Sequence, residues 1–401
     1  MNQAASEAGS QAARHGAPAP PGRGELWALY AGTAAAYADM YVTQPILPLL
    51  SAEFGVGPAR AGLTVSAVVL AIAGAASLYG PLSDALGRRR VMAGAMALLA
   101  LATLACAFAP SLGALVALRA LQGLFVPGMT AVAVAYAGDR FAAAELSRLV
   151  GGVIGASVVG GLVGRVGAGW VTARHGWRAA FVVFAGLTLL AALGLARELS
   201  PARAAARTGF GAATRGMLGH LSDPRLLGAF LVGAALFFGW IGIFTYLPYH
   251  LTAAWGLSTG LVSSVYLVYA AGVLASPLAG RFSARLGARR LIGWGLAVEA
   301  LGMAATLAGS LPVLVAGLVV LVLGTFTAQA VVPAFVNQAA RSAKGGASAL
   351  YLTFYYLGGT AGSVVPGLAW QAWGWPGVVG TCGAGVALGL VANATLCGRE
   401  A

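Results

Sequence analysis

Twelve stretches of roughly twenty apolar residues recur along the sequence, near 26–50, 60–83, 91–109, 112–137, 147–172, 178–196, 226–249, 258–280, 290–309, 312–337, 346–370 and 376–396. At about 1.5 Å rise per residue, each is long enough to cross a hydrocarbon core of about 30 Å. In lipid every main-chain polar group must be satisfied within the protein, so such segments fold as spanning α-helices. Only 9% of the chain is charged, against about 25% in soluble domains. That excludes a soluble enzyme, a disordered chain and a nucleic-acid binder, although the net charge is +13. The 59 glycines suit helices whose backbones approach closely in a membrane. The expected fold class is all-α integral membrane, with twelve transmembrane helices in two pseudo-symmetric six-helix bundles.

Polar segments divide the chain. Residues 1–25 carry no apolar run before Leu26 and read as a flexible cytoplasmic tail rather than a signal peptide. A bundle over 26–196 is followed by a linker at 197–225 with five arginines, and a second bundle covers 226–397. Six crossings on each side of the linker put tail, linker and chain end on one side. Nineteen of the 24 basic residues fall on that side, three fall on the opposite loops, and Arg119 and Arg165 lie within spans. The excess of basic residues places both termini in the cytoplasm. Cys106, Cys382 and Cys397 sit in apolar runs with no paired spacing, which supports neither disulfides nor a metal site. The single lysine, Lys344, follows no phosphate-loop pattern, and no cofactor is expected.

The halves also repeat. GPLSDALGRRR at 80–90 returns 200 residues later as GRFSARLGARR at 280–290, and Trp170 returns as Trp370. Duplicated six-helix bundles place a binding site between them near the midplane. The first copy, with Gly80, Leu82, Asp84, Gly87, Arg88, Arg89 and Arg90, resembles the loop signature of the major facilitator superfamily. YVTQPILPLL in span 1, GGLVGR in span 5 and ALYLTFYYLGG in span 11 resemble its YnfM-type branch, related to drug:proton antiporters. The sequence departs from the family pattern in Ala85, directly after the aspartate, and in Ala156–Ser157, where antiporters often carry Gly-Pro.

The resemblance implies a conformational latch at the inner end of span 2, made of Gly80, Asp84, Gly87 and Arg88, and we extend the cluster to Asp139 and Arg140 at the inner end of span 4. Asp84 can pair with Arg88 one turn on and face the start of span 11 at Gly345 and Gly346 when the cytoplasmic side is shut. Asp39, near the middle of span 1, costs about 2.5–3.5 kcal/mol to insert and so is expected to face a partner or a cavity. Arg119, in LRALQG with Gln122, resembles the family's Arg-x-x-Gln-Gly motif credited with proton transfer and is the candidate partner. The alternative is a permanent ion pair that fixes helix register. Arg165 either binds anionic substrate, joins Asp39 and Arg119, or pairs structurally. Tyr37, Tyr41 and Gln44, at helical spacing from Asp39, are the candidate cavity wall. The aromatics Phe237, Phe238, Trp240, Phe244 and Tyr246 of span 7 are weaker candidates. Gly151, Gly155, Gly160 and Gly164 predict close packing of span 5, and Glu299 in span 9 reads as structural or snorkelling.

The function these features imply is proton-coupled efflux of a small organic compound by alternating access, in a bacterial inner membrane, by a monomer whose partners are substrate, protons and lipid. A proton-linked importer or sugar exporter of the same fold is the alternative. A transport-inactive sensor or lipid-handling protein is the reading from another class.

Overall fold

Proline and glycine set where the helices start, bend and turn back. The computed structural model describes residues 22–141, 143–200, 219–341 and 344–398, so most of the expected tail and linker lies outside the described residues. Span 2 is Pro58–Leu86, span 3 Arg88–Cys106, span 4 Leu112–Arg140, span 5 Ala143–His175 and span 6 Trp177–Glu198. Span 7 is Pro224–Trp255, span 9 Ala288–Ala305 and span 10 Leu311–Ala339. Pro58 and Pro224 open their helices in the first turn, where a missing N–H costs nothing. Gly87 and Gly287, at φ 91° and 82°, turn the chain from span 2 to 3 and from span 8 to 9. A side chain would be strained there, and the repeated motif carries glycine at both positions.

Three spans expected to be continuous are broken. Span 1 runs Arg23–Tyr41, passes through a short 3-10 turn at Gln44–Ile46, and resumes as Leu47–Phe54. Pro45 has no N–H for the Tyr41 carbonyl, so the helix cannot run straight on. Span 8 is Thr259–Val265, a 3-10 stretch Tyr266–Tyr269, and Ala270–Leu286. Span 11 runs Lys344–Gly362, bends at Ser363 and Val364, and continues to a second kink at Gly374. There span 12 begins, and the helix ends at Thr395. Each break lies about ten residues from the outer end of its span, the end away from the termini, so the three share one depth.

Helix packing is the same in the two halves. Spans 1–5, 1–6, 2–4, 3–4 and 3–6 pack together, and so do 7–11, 7–12, 8–10, 9–10 and 9–12. This makes two six-helix bundles related by the repeat. Bonds across the two bundles cluster toward the outer face. Gln44 Nε2 donates to Thr245 Oγ1 at 3.1 Å, Ser51 Oγ meets the Tyr249 hydroxyl at 2.6 Å, and that hydroxyl also reaches the Leu47 carbonyl at 3.1 Å. Trp170 Nε1 donates to Ser264 Oγ at 3.1 Å. Spans 5 and 1 touch backbone to backbone, because a Cβ on Gly160 or Gly164 would collide with the main chain at Ala34 or Ala38. Gly151 and Gly155 face open space instead, so only half of the expected glycine seam is used.

Candidate functional site

Among the described residues, one polar site at mid-membrane depth is buried inside the first bundle and another faces the space between the bundles. The buried site follows from the break in span 1. A helix that stops leaves its last carbonyls without partners, and Arg119 from span 4 supplies donors to two of them. Its Nη1 donates to the Asp39 main-chain oxygen at 2.7 Å and its Nη2 to that of Met40 at 2.6 Å. Its Nε donates to the Thr64 carbonyl at 3.0 Å, and Nη1 also reaches Gln122 Oε1 at 2.7 Å. A cation at a helix C-terminus is favourable, so the fully buried guanidinium is satisfied largely by main-chain dipoles. Gln122 passes the network on, donating to Thr103 Oγ1 at 2.6 Å.

The Asp39 carboxylate takes no part in that grip. It is 1% exposed, its Oδ2 accepts from Thr188 Oγ1 of span 6 at 2.7 Å, and its Oδ1 has no hydrogen-bond partner. No ion pair joins Asp39 to Arg119 among the described residues. The expected pairing is therefore corrected: the arginine meets the residue's backbone, and the carboxylate rests on a threonine that sequence reasoning did not single out. Asp39, Arg119 and Gln122 lie in the packing between spans 1, 3, 4 and 6 and do not line the cavity between the bundles.

The cavity has a volume of about 550 Å³ and lies between spans 1, 5, 7, 8, 10 and 11. It runs from Arg165 and Tyr41 toward Ile154, Pro333 and Tyr351, nearer the inner face, which bears the termini. Tyr37 and Tyr41 line it. Gln44 closes its outer end, accepting from Arg165 Nε at 2.7 Å while donating to Thr245. Arg165 Nη1 donates to the Gly161 carbonyl at 2.8 Å, and its guanidinium carbon sits 3.5 Å from the Tyr41 ring centre and 4.5 Å from that of Tyr269. Of the span 7 aromatics, Phe237 and Trp240 reach the cavity, and Phe237 stacks on Tyr355 at 4.2 Å. Phe244 and Tyr246 are buried in packing, and Phe238 faces a groove formed by spans 7 and 12. Tyr269, Phe326, Gln329, Tyr355 and Tyr356 complete the wall. The tyrosine-rich stretch at 351–356 was visible in the sequence, though nothing there said which face it turned.

At the inner ends, Arg88 holds Asp84 at 2.6 Å and Asp139 at 3.0 Å and also donates to Ser83. Asp84 bonds no group of span 11 among the described residues. Arg140 turns away from this cluster to Glu25, at 3.8 Å. Glu299 does not snorkel: it is fully buried, with a carboxyl oxygen close to Gly239 of span 7. Gly239 stands 200 residues after Asp39, and Glu299 stands 200 residues after Leu99, so the acid near this position comes from a different helix in each half. At the outer face Glu53, beyond the apolar run of span 1, accepts from Arg178 Nη1 at 2.6 Å and from Trp177 Nε1. Burial pushes its carboxyl upward, but those hydrogen bonds and the Arg178 charge outweigh it and leave the group below its ordinary value.

The family model described as Major Facilitator Superfamily matches residues 29–275 and 229–400. The inner membrane transport protein YnfM of Escherichia coli (strain K12) is 33% identical over 367 residues, covering 91% of this chain and 87% of that protein. The uncharacterized MFS-type transporter YybF of Bacillus subtilis (strain 168) is 29% identical over 357 residues, 88% of each chain. Among solved structures, a bacterial homolog of the human lysosomal transporter Spinster, inward-facing and unoccupied, superposes with a TM-score of 0.74 at 18% identity, over 93% of this chain and 94% of that one.

Proposed function

The chain belongs to the major facilitator superfamily as a multi-pass membrane transporter, and from that membership we propose that it exports a small organic compound in exchange for protons by alternating access. Asymmetric closure is the observation that carries this reading. The cavity between the bundles extends toward the inner face, while Gln44–Thr245, Ser51–Tyr249 and Trp170–Ser264 tie the bundles together toward the outer face. With the arginine-rich face in the cytoplasm, the cavity collects substrate from inside the cell. Opening the outer ties while the inner ends close would release it outside.

Asp39 supplies the proton site in this scheme. Its carboxyl has one unpartnered oxygen and no bound cation, so a proton can join or leave without breaking an ion pair. Arg119 and Gln122 act as positioning residues, holding the broken end of span 1 on which Asp39, Tyr41 and Gln44 ride. The Asp84–Arg88–Asp139 cluster is free of span 11 in this conformation. It becomes the inner latch when Asp84 meets the N-terminal end of that helix, with Gly80 and Gly87 shaping the turn.

The test is flux in proteoliposomes with and without a pH gradient, with candidate organic compounds on one side and a pH-sensitive dye inside. Wild type should move protons on addition of a transported compound. Asp39→Asn should lose gradient-driven accumulation yet keep exchange of labelled for unlabelled compound. Accumulation surviving in Asp39→Asn would overturn the coupling assignment.

A further inference from the structure

Arg165 is 1% exposed, at mid-membrane depth, and forms no ion pair among the described residues. A buried cation without an anion is expensive and normally marks a site where one arrives. Arg119, the other intramembrane cation, has its guanidinium taken up by carbonyl and amide oxygens. Arg165 differs. Its Nε and Nη1 are occupied by Gln44 and Gly161, while Nη2 has no hydrogen-bond partner and the residue lines the cavity.

The surroundings define what would fit. Arg165 is the one charged residue among the described residues lining the cavity, so no acid there competes for the guanidinium or attracts a cationic ligand. The rings of Tyr41 and Tyr269 lie within 4.5 Å of the guanidinium carbon and hold it in place by cation–π contact. Trp240 and Gln329 also line the cavity. Beyond them the wall is mainly aromatic, including the stacked pair Phe237 and Tyr355. A guanidinium nitrogen without a hydrogen-bond partner suits a carboxylate, and the flat rings of the wall suit a flat apolar body.

We propose that the central cavity binds an aromatic or similarly flat organic monoanion, its carboxylate on Arg165 Nη2 and its body against the Phe237 and Tyr355 wall. This rests on reading the cavity as the substrate site. It also ties occupancy to closure, because the arginine that meets the carboxylate holds Gln44, and Gln44 holds Thr245 of the other bundle.

The test uses the full-length chain in detergent and three matched probes: 2-naphthylacetate, 2-naphthylacetamide and 2-naphthylethylamine. The carboxylate should raise the melting temperature with an affinity at least about tenfold tighter than the amide, as one charge-assisted hydrogen bond allows. The amine should not bind. Arg165→Gln should erase the preference for the carboxylate over the amide, and Arg165→Lys should keep part of it. Because the comparison of probes is made on wild type, it decides the matter even if the variants do not fold. Equal binding of the amide, preference for the amine, or no stabilisation by the carboxylate overturns the proposal. Flux of the same probes in proteoliposomes separates the two readings. A carboxylate that binds but is not carried sinks transport through this cavity and leaves the anion site standing. Carriage of a neutral or cationic probe, unaffected by Arg165→Gln, does the reverse.

Discussion

If Arg119 serves chiefly to cap the broken end of span 1, its removal should harm the fold by an amount that does not depend on the Asp39 carboxylate. Arg119→Gln strips donors from the carbonyls of Asp39, Met40 and Thr64. A buried acceptor left unsatisfied costs about 1–3 kcal/mol, so three of them set a loss of about 3–9 kcal/mol. The low end is expected, because the shorter amide can recover one bond. Asp39→Asn alone should cost far less, since the residue's main-chain oxygen stays bonded and the amide can still meet Thr188. The decisive quantity is the coupling in a double-mutant cycle, measured as unfolding in mixed detergent and SDS micelles. Breaking a direct buried ion pair from one side costs about 3–5 kcal/mol and is relieved when the second partner is removed. Capping predicts a coupling below about 1 kcal/mol. If Asp39→Asn rescued most of the damage done by Arg119→Gln, the carboxylate would be the true partner and the capping argument would fail.

Tyr249→Phe removes two bonds of the outer closure, to Ser51 and to the Leu47 carbonyl, worth about 1–3 kcal/mol together. It should shift the population toward the outward-open form by about 5- to 150-fold. Labelling of Leu47→Cys by an impermeant maleimide from outside should accelerate accordingly, and an unchanged rate would remove Tyr249 from the gate. The Glu53 tie to Trp177 and Arg178 should respond to acid. Its carboxyl is held below the unfolded value, so the stabilisation is complete above the ordinary carboxylate range and is lost as pH falls through the lowered one. Trp177 emission should therefore change only in that acidic window. A transition that persisted in Glu53→Gln would belong to another group. Glu299 forms no ion pair among the described residues, so Glu299→Gln forfeits no charge pairing and should melt within a few degrees of wild type. A loss above about 2 kcal/mol would show that the acid has a partner in the folded protein.

Hydropathy and arginine placement made the twelve crossings legible, because both are sums over many residues and survive local exceptions. The breaks were harder to see. Pro45 and Pro366 mark two of them, whereas Tyr266–Tyr269 carries no proline, and tertiary packing decides its conformation. Asp39 and Arg119 stood out because charge in lipid is rare, but their relation was misread for a definite reason. Arg119 bonds largely to main-chain carbonyls, and a carbonyl freed by a helix end has no letter in the sequence. Thr188 likewise reads as an ordinary helix residue until span 6 is packed against span 1. Tyr37 and Tyr41 were placed at the cavity by their spacing from Asp39, although Asp39 points the other way. Ring positions in spans 8, 10 and 11 depend on how each helix is rotated within the bundle, which apolar runs this uniform do not specify.

The interruptions in spans 1, 8 and 11 give the molecule three short stubs on joints set at a common level. In span 1 the joint is held from below, since Arg119 bonds the main chain at Asp39 and Met40 just before it. The partition between the two compartments is thus much lighter than either half of the protein. The hydrogen bonds Gln44–Thr245, Ser51–Tyr249 and Trp170–Ser264 cross it, so a change at any of them acts directly on the outer closure.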